Sequence, residues 1–269
     1  MAAHAPEPHA AESAGAWSSW PYPRWIAHRG AGKLAPENTL AAFRVGARHG
    51  YRMFECDVKL SRDGVPFLMH DATLERTTNA AQTLGPGTSP TGGDHGWEAL
   101  ARLDAGGWHS RQFAGEPLPT LDNIARFCLA NGHCLNIEIK PTPGLEEATG
   151  RVVGEHAARL WQGQVPPLLS SFQPEALAGA QATAPRLPRA LLLDTLWDGW
   201  LDTAHQCGCV AIVCNHALWD AALVTQVHAL GWRALSYTVN DEWAAQRLIA
   251  LGTDGIITDR VDLFSPAAA

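Results

Sequence analysis

The sequence predicts an α/β protein that folds as a TIM (β/α)8 barrel, with a small inserted subdomain after the third strand. Short apolar runs alternate with helical segments along most of the chain, and this alternation is typical of a parallel sheet. A length of 269 residues suits a barrel formed by one domain. Charged residues and histidines stand at the carboxyl ends of several predicted strands, which is the end where such barrels carry their functional groups.

Nine runs have the composition of buried strands, one more than a closed eight-stranded barrel uses. They cover residues 24–28, 54–60, 65–70, 134–140, 168–172, 189–193, 209–214, 234–239 and 255–258. We expect the additional strand to be one of the last four. Between the strands the sequence predicts helices, the first of which has Asn38 as its N-cap and ends near Arg48, before Gly50.

The composition divides the chain into an arm, a barrel domain and an insertion. Residues 1–23 are rich in Ala, Pro, His and Ser without periodicity, which predicts a flexible N-terminal arm. Residues 24–269 are expected to form the barrel domain, and within it residues 72–118 lose the regular alternation and contain several glycine pairs. A connection of that length is normally functional or a small subdomain, so we expect it to cover the site.

The charge balance and hydropathy exclude several classes of protein. The formal net charge is −7, from 27 acidic and 20 basic residues, so no basic surface indicates binding of nucleic acid. No apolar run approaches the ~18 residues of a membrane span, and the first residues lack the basic and apolar regions of a secretion signal. We therefore expect a cytoplasmic protein without stable membrane insertion. The sequence does not specify an oligomeric state.

The cysteines admit two interpretations. Six of them in a chain of this length do not make a disulfide framework. Cys207, Cys209, Cys214 and His216 could form a zinc site, but the run from Cys209 to Cys214 has the composition of a buried strand and the spacing is not that of a zinc motif. Small buried thiols are therefore the favoured interpretation.

Two carboxylates in the second predicted strand give the first indication of a site. Glu55 and Asp57 are two residues apart, so their side chains leave the same face of the strand. Two carboxylates inside an otherwise apolar strand are destabilised by desolvation and by mutual repulsion. A bound cation would remove that penalty.

Further polar residues stand at or near other strand ends and supply partners for this pair. They are His28, Arg29, His70, Glu138 and Lys140. A lone histidine in such a place is often structural, and the pair Glu138–Lys140 could be an ordinary salt bridge, because buried charges are usually paired. Two histidines that each have a charged neighbour and flank the acidic strand are harder to explain in that way.

The charges of the set balance when a metal ion and a phosphodiester are added. Glu55, Asp57 and Glu138 contribute −3, Arg29 and Lys140 contribute +2, and a divalent cation with a singly charged diester brings the sum to zero. Carboxylate ligands suit Mg²⁺, Ca²⁺ or Mn²⁺. Arginine offers a planar fork to phosphate oxygens and lysine a point charge. The residues therefore predict phosphate ester chemistry.

Six motifs in this order resemble those of the glycerophosphodiester phosphodiesterase family. They are His28-Arg29-Gly30, Pro36-Glu37-Asn38-Thr39, Glu55-x-Asp57, His70-Asp71, Glu138-Ile139-Lys140 and Asp254-Gly255-Ile256-Ile257-Thr258-Asp259. Each is weak alone, whereas six in the family's order, spread from about residue 26 to 263, are specific. Two departures occur: Tyr237 stands where the family often has tryptophan, and Ser61 replaces a commoner threonine.

The resemblance implies a function and roles for the site residues. It implies hydrolysis of a small-molecule glycerophosphodiester to sn-glycerol 3-phosphate and an alcohol, on a TIM barrel with an inserted subdomain. The metal, Mg²⁺ or Ca²⁺ with Mn²⁺ as a further candidate, would be held by Glu55, Asp57 and Glu138. His28 and His70 would be the general acid and base. The role of Glu37 is left open, between support of the site and favourable charge at a helix start.

Two other functions are compatible with part of the pattern. A phospholipase D-like or C-like barrel would act on lysophospholipids or phospholipids, and it would need an apolar lip, which the tryptophans of the insertion could supply. A non-catalytic phosphoglycerol-binding protein would lack one of the catalytic groups, and none is missing.

Overall fold

The computed structural model describes residues 20–267, and this part of the chain contains nine strands in one sheet. The strands are β1 (Trp25–Ala27), β2 (Met53–Leu60), β3 (Pro66–Leu68), β4 (Cys134–Ile139), β5 (Leu168–Ser171), β6 (Arg189–Leu193), β7 (Ala211–Asn215), β8 (Arg233–Tyr237) and β9 (Gly255–Thr258). All of them except β3 run parallel to their neighbours, and β1 pairs with both β9 and β2, so the eight parallel strands close into a barrel. The predicted TIM barrel is confirmed.

Helices follow the strands around the outside of the barrel or lie within the insertion. The α-helices are α1 (Leu40–Arg48), α2 (Ala80–Thr83), α3 (Trp97–Leu100), α4 (Leu121–Ala130), α5 (Glu146–Leu160), α6 (Pro174–Thr183), α7 (Trp200–Gln206), α8 (Ala221–Ala229) and α9 (Glu242–Leu251). Within residues 20–267 no helix combines the length and the apolar character needed to cross a bilayer.

The strand that does not belong to the barrel is β3, so the expectation that the additional strand would be one of the last four was wrong. β3 pairs antiparallel with the end of β2, with Val58 opposite Leu68. The connection explains this direction, because a turn of a few residues can join only antiparallel strands. Ser61 closes that turn: its Oγ accepts a hydrogen bond from the Val65 N–H at 2.9 Å.

The N-cap of helix α1 lies one residue later than predicted. Thr39, not Asn38, is the N-cap, and its side chain accepts a hydrogen bond from the Ala42 N–H. Asn38 has a positive φ of 59°, and its side chain turns toward the barrel interior, where it bonds to Asp57. The same short segment therefore starts a helix and supplies a side chain to the site.

The barrel interior is apolar at the amino ends of the strands and polar at the carboxyl ends. On the inner face of β2, Met53 lies in the apolar layer, and Glu55 and Asp57 follow at two-residue spacing. The apolar layer consists of Tyr22, Ile26, Met53, Leu168, Ala190, Leu192, Ala211, Val213, Leu235 and Ile257. The acidic residues therefore lie on the carboxyl-end side of this apolar layer.

The predicted arm, residues 1–23, lies mostly outside the described residues, which begin at residue 20. The described part of it packs on the barrel. Tyr22 is 6% exposed and donates a hydrogen bond from its hydroxyl to the Pro166 carbonyl oxygen at 2.9 Å, and Trp20 contacts it edge to face. These two aromatic side chains bury apolar area, so residues 20–23 belong with the barrel.

The stretch from residue 71 to 119 forms a compact unit beside β3. It contains α2, α3 and two short 3₁₀ turns, and it has its own apolar cluster with β3. That cluster consists of Phe67, Met69, Leu74, Ala80, Leu100, Leu103, Ala105 and Leu118. The Arg76 side chain of this unit reaches Glu37 and Asp71, so the unit contacts the carboxyl end of the barrel where the polar residues lie.

Candidate active site

Strand pairing brings the three predicted metal ligands together. β2 and β4 are parallel neighbours with Asp57 directly opposite Glu138, and Glu55 lies on the same inner face. One carboxylate oxygen from each of Glu55, Asp57 and Glu138 lies within 4.8 Å of the others. Glu55 and Asp57 are 3% and 1% exposed. Three carboxylates in one buried cluster are a donor set suited to a divalent cation with oxygen ligands.

The electrostatics of the cluster fit a cation. Burial, followed by the charge of Asp57, raises the pKa of Glu55 to about 8, and the same two causes raise the pKa of Glu138. Burial also disfavours ionised Asp57, but Arg29 and Lys140 outweigh it and lower the pKa of that group. Glu55 Oε1 is buried and has no hydrogen-bond partner among residues 20–267. A cation would satisfy that atom and stabilise the ionised forms.

Arg29 is held in the cluster by both its backbone and its side chain. Its N–H donates to Glu55 Oε2 at 3.0 Å, its Nε lies 3.4 Å from Asp57 Oδ2, and its Nη1 donates to Glu37 Oε1 at 2.9 Å. Arg29 has a φ of +51°, which is unusual for a residue with a side chain. This backbone turn directs both the N–H and the guanidinium into the site.

Asn38 is a positioning residue that the sequence pattern did not assign to the site. Its Nδ2 donates to Asp57 Oδ2 at 2.8 Å, and its Oδ1 accepts the Asp57 N–H at 3.1 Å. The two bonds fix the carboxylate and the strand position of Asp57 together. Asn38 stands in the quoted Pro36–Thr39 motif, and asparagine is the residue type, after glycine, that most readily takes a positive φ.

Arg76 is a second residue that the sequence pattern did not reveal. It donates two hydrogen bonds to Glu37, at 2.7 and 2.8 Å, and two to Asp71, at 2.6 and 3.0 Å. Glu37 therefore bridges Arg29 and Arg76, which gives it a role in support of the site. No spacing in the sequence points to Arg76, because it lies in the irregular insertion.

Both predicted histidines are oriented by a carboxylate. His28 Nδ1 lies 2.7 Å from Asp259 Oδ1, and His70 Nδ1 lies 2.7 Å from Asp71 Oδ1. Each Nδ1–H donates a hydrogen bond to its carboxylate. The Nε2 atom of each ring is therefore free to exchange a proton with a ligand. His28 Nε2 lies 3.8 Å from Glu55 Oε2, beside the acidic cluster.

Asp259 is the last residue of the Asp254–Asp259 motif, to which the sequence pattern assigned no role in the site. The fold places Asp259 next to His28. β1 pairs with β9 so that Ala27 is opposite Thr258, which puts His28 and Asp259 side by side. Asn240 Nδ2 donates to Asp259 Oδ2 at 2.9 Å and holds the carboxylate from the other side. Burial works against the charge of Asp259, but the hydrogen bond from His28 outweighs it and lowers the pKa to about 2.

The pKa values of the two histidines are shifted in opposite directions. Burial works to lower the pKa of His28, but the hydrogen bond with Asp259 and the charge of Glu55 outweigh burial, so the pKa is raised. The pKa of His70 is lowered, first by burial and then by nearby cations that offset the attraction of Asp57.

Two lysines stand at the same end of the barrel. Lys140 Nζ donates to Glu138 Oε1 at 2.9 Å and lies 3.5 Å from Asp57 Oδ1, so it contacts two of the three clustered carboxylates. Lys59, which the sequence pattern did not single out, is 2% exposed and donates to the Lys140 carbonyl oxygen at 3.0 Å. Burial lowers the pKa of Lys59 to about 8.

A cavity of about 200 Å³ opens on the cluster. His28, Arg29, Glu55, His70, Glu138 and Lys140 line its polar side. The lining also includes Phe172, Leu192, Tyr237 and Ile257, and Tyr237 is fixed by a hydrogen bond from its hydroxyl to the Leu193 carbonyl oxygen at 3.0 Å. The cavity therefore combines charged side chains that suit a phosphate with apolar and aromatic side chains that suit a short carbon chain.

The cysteines do not form a metal site in the part of the chain that the structure describes. All six are free thiols, and Cys207, Cys209 and Cys214 are buried. Within residues 20–267 the one group of side chains arranged so that it could hold a metal ion is the acidic cluster, and it contains no cysteine.

The fold and the site define the class: this is a TIM-barrel phosphoric diester hydrolase. The sequence pattern of the Glycerophosphoryl diester phosphodiesterase family matches residues 28–263. The chain therefore belongs to the glycerophosphodiester phosphodiesterase family.

Relatives and solved structures agree with that assignment. A glycerophosphodiester phosphodiesterase of Caldanaerobacter subterraneus is 32% identical over 256 residues, which cover 87% of this chain and 93% of the relative. The structure of a phosphodiesterase from Oleispira antarctica in complex with the product sn-glycerol-3-phosphate has a TM-score of 0.83 and 32% identity, and the match covers 92% of this chain and 98% of that one. A glycerophosphodiester phosphodiesterase structure from Agrobacterium tumefaciens has a TM-score of 0.72 and 30% identity, with 90% and 99% coverage.

Proposed function

We propose that this enzyme hydrolyses glycerophosphodiesters to sn-glycerol 3-phosphate and an alcohol, with one divalent cation held by Glu55, Asp57 and Glu138. The observation that carries the proposal is the buried three-carboxylate cluster next to two histidines, each with its own orienting carboxylate. The product bound in the Oleispira antarctica phosphodiesterase supports the choice of glycerol phosphate as product.

The cation would be Mg²⁺ or Ca²⁺, and Mn²⁺ also suits the all-oxygen donor set. When bound, it would supply positive charge to the phosphoryl oxygens and would lower the pKa of a coordinated hydroxyl group. Arg29 and Lys140 lie at the same cluster and would bind the remaining phosphate oxygens, Arg29 through its planar fork and Lys140 as a point charge.

Two proton transfers would be carried out by His28 and His70. One histidine would take the proton of the glycerol 2-hydroxyl as this oxygen attacks phosphorus, and the other would protonate the departing alcohol. The cyclic phosphate would then be opened by water with the two roles reversed. The hydrogen bonds with Asp259 and Asp71 keep each imidazole oriented with Nε2 available.

The test of the histidines uses two variants and two substrates. His28→Ala and His70→Ala should each lower kcat on glycerophosphocholine by roughly 10²–10⁴-fold, the usual range for a general acid or base. A p-nitrophenyl diester of glycerol phosphate needs no proton on departure, so it should rescue the variant that lost the first-step acid and leave the other impaired. This difference would assign the roles.

A matched control is available on the outside of the barrel. His156 forms a similar pair with Asp122, with 3.0 Å between Nδ1 and Oδ2. His156→Ala should keep wild-type turnover. Near-normal activity of both site variants on glycerophosphocholine would show that the two-histidine mechanism is wrong.

A second candidate function, hydrolysis of lysophospholipids, is favoured by exposed apolar side chains at the carboxyl end of the barrel. Leu196 and Trp197, which follow β6, are 44% and 39% exposed, and Trp243 near the start of α9 is 72% exposed. Tryptophans in such a place suit contact with a lipid surface. Turnover of lysophosphatidylcholine at a rate equal to or above that of glycerophosphocholine would favour this candidate.

The cytoplasmic location expected from the sequence stays a prediction. The proposed substrates are small and water-soluble, which is consistent with a location inside the cell. Cell fractionation with detection of the enzyme in each fraction would test it.

A further inference from the structure

A second cavity adjoins the one already described. It has a volume of about 270 Å³, and the two cavities share His70, Glu138, Lys140 and Phe172 as common wall. The lining of the first cavity includes Glu55 and Glu138 of the acidic cluster, so a glycerol phosphate bound with its phosphate at the cluster has its phosphorus near these shared residues. A substituent on the far side of the phosphate would enter the second cavity.

The most informative residue of the second cavity is Lys59. Its side chain lines the cavity although it is only 2% exposed. Within residues 20–267 its one hydrogen bond goes to the Lys140 carbonyl oxygen, and none of the ion pairs in that part of the chain includes it. A buried ammonium group without a counterion is unfavourable unless a ligand completes its hydrogen bonds.

The positive charges of Lys59 and Lys140 limit which alcohols the second cavity can bind. Lys59 and Lys140 both line the cavity, and the Lys140 ammonium lies 5.9 Å from the centroid of the Phe172 ring, so it already occupies that aromatic face. In a choline ester the cationic nitrogen is two carbons from the ester oxygen, so it would be held close to these two ammonium groups. A hydroxyl group at the same distance can instead accept a hydrogen bond from Lys59.

The lining of the second cavity also includes an acceptor. Glu146, the first residue of α5, lines it, and its Oε1 accepts the Gly144 N–H at 2.9 Å. The second carboxylate oxygen can accept a bond from a hydroxyl group, whereas it would repel an anionic headgroup. A donor and an acceptor in the lining of one cavity match an uncharged molecule with several hydroxyl groups.

We propose that the second cavity is the binding site for the leaving alcohol, that Lys59 selects an uncharged polyol over a quaternary ammonium alcohol, and that Glu146 disfavours anionic headgroups. This inference rests on the proposed hydrolysis of glycerophosphodiesters and adds the class of headgroup. Lys59 and Glu146 would be specificity residues that contact the headgroup and not the phosphate.

The experiment compares glycerophosphoglycerol and glycerophosphocholine at pH 7.0 by release of glycerol 3-phosphate. The wild-type enzyme should have the higher kcat/KM on glycerophosphoglycerol. Lys59→Met, which keeps most of the side-chain volume without the charge, should lower the ratio of the two kcat/KM values by roughly 10- to 100-fold, the range for loss of a hydrogen bond to a charged group. Lys59→Gln, which removes the charge and keeps a polar side chain, should lower the ratio in the same direction and serves as the second variant if Lys59→Met does not fold.

Two controls separate this proposal from simpler explanations. Lys33→Met, at a lysine that lines neither cavity, should leave the ratio unchanged. Inhibition by glycerol 3-phosphate, which would fill only the first cavity, should have a similar inhibition constant in the wild type and in Lys59→Met. A large rise in that constant would mean that Lys59 acts on the phosphate and would overturn the proposal.

The remaining outcomes are distinguishable. An unchanged ratio in a folded Lys59→Met or Lys59→Gln variant that still releases glycerol 3-phosphate would overturn the headgroup selection alone. A preference of the wild type for glycerophosphocholine would do the same. No release of glycerol 3-phosphate from either diester would overturn the proposed function and, with it, the inference drawn from it.

Discussion

Glu55 is the residue whose charge is least compatible with the metal-free protein. It is buried, one of its carboxylate oxygens has no hydrogen-bond partner within residues 20–267, and Asp57 lies two residues away on the same strand face. Burial and the neighbouring charge raise its pKa to about 8 from 4.5. The folded protein thus holds a proton on Glu55 that the unfolded chain releases above pH 4.5, so this group destabilises the metal-free fold increasingly as pH rises from about 4.5 to about 8.

Glu55→Gln should remove this pH dependence. In the presence of chelator we expect the variant to melt at a higher temperature than the wild type at pH 8 and at nearly the same temperature at pH 4.5, because only the ionised carboxylate is unfavourable. Thermal unfolding at both pH values measures the effect. A variant that is less stable than the wild type at pH 8 without metal would contradict the assigned cause.

A substitution at Asn38 can separate the effect of its backbone conformation from the effect of its side chain. Its φ is +59°, and its amide group makes both hydrogen bonds to Asp57. Glycine tolerates the backbone but has no amide. Asn38→Gly should therefore fold and weaken binding of Mg²⁺ or Ca²⁺ by roughly 10- to 100-fold, the range for loss of a group that orients a ligand.

Calorimetric titration with the metal ion would measure the affinity of Asn38→Gly. Asn215→Gly is a suitable control, since Asn215 also uses its side chain to accept a backbone N–H, but at a 3₁₀ turn beyond β7. Unchanged affinity in Asn38→Gly would show that strand β2 alone positions Asp57.

The residues differ in how far the sequence reveals them. The spacing of Glu55 and Asp57 and the motifs around His28 and His70 are sufficient to predict a site, because side chains two apart on a strand share a face. The partners Asn240 and Arg76 could not be predicted in that way. They reach the site from a loop and from the insertion, where no periodicity relates position in the chain to position in space.

At the level of elements, the positions of the strands were predictable from the sequence. The antiparallel direction of β3 was not predicted. Apolar runs bounded by glycine or proline located all nine strands. The error about which strand is additional came from counting strands without using the connection between them. The short turn at residues 61–65 carried the missing information, because parallel strands need a long crossover.

Helices α5 and α6 pack closely because glycines face each other across their contact. A Cβ added to Gly179 would overlap the Glu147 carbonyl oxygen, and one added to Gly150 would overlap the Ala176 carbonyl oxygen. In an isolated helix, replacing glycine by alanine is favourable by about 1 kcal/mol. In this pair of helices the close packing makes the same replacement unfavourable.

Gly179→Ala should lower the free energy of unfolding by about 1–3 kcal/mol, the usual range for overpacking. Ala178→Ser, at the exposed neighbouring position of the same helix, is the control and should change stability little. Urea denaturation of both variants measures the difference. Higher stability of Gly179→Ala than of the wild type would rule out the close packing described for this pair of helices.

For the whole molecule, closure of the barrel is what assembles the site. His28 follows β1, the acidic pair lies on β2, Glu138 lies on β4, and Asp259 follows β9, so residues from both ends of the chain meet only when β1 pairs with β9. The alternation of strands and helices was sufficient to predict the barrel. The internal structure of the insertion was not predictable, because its glycine-rich turns have no regular pattern.

The central claim is that the acidic cluster holds a divalent cation on which hydrolysis depends. The most direct measurement is the rate of glycerol 3-phosphate release from a glycerophosphodiester by the purified enzyme, first in excess EDTA and then after addition of Mg²⁺ or Ca²⁺, with Asp57→Asn measured beside the wild type. We predict that EDTA abolishes release, that one of the two cations restores it, and that Asp57→Asn needs a far higher metal concentration for any recovery. Full turnover in EDTA, or equal metal requirements in the wild type and Asp57→Asn, would contradict the account.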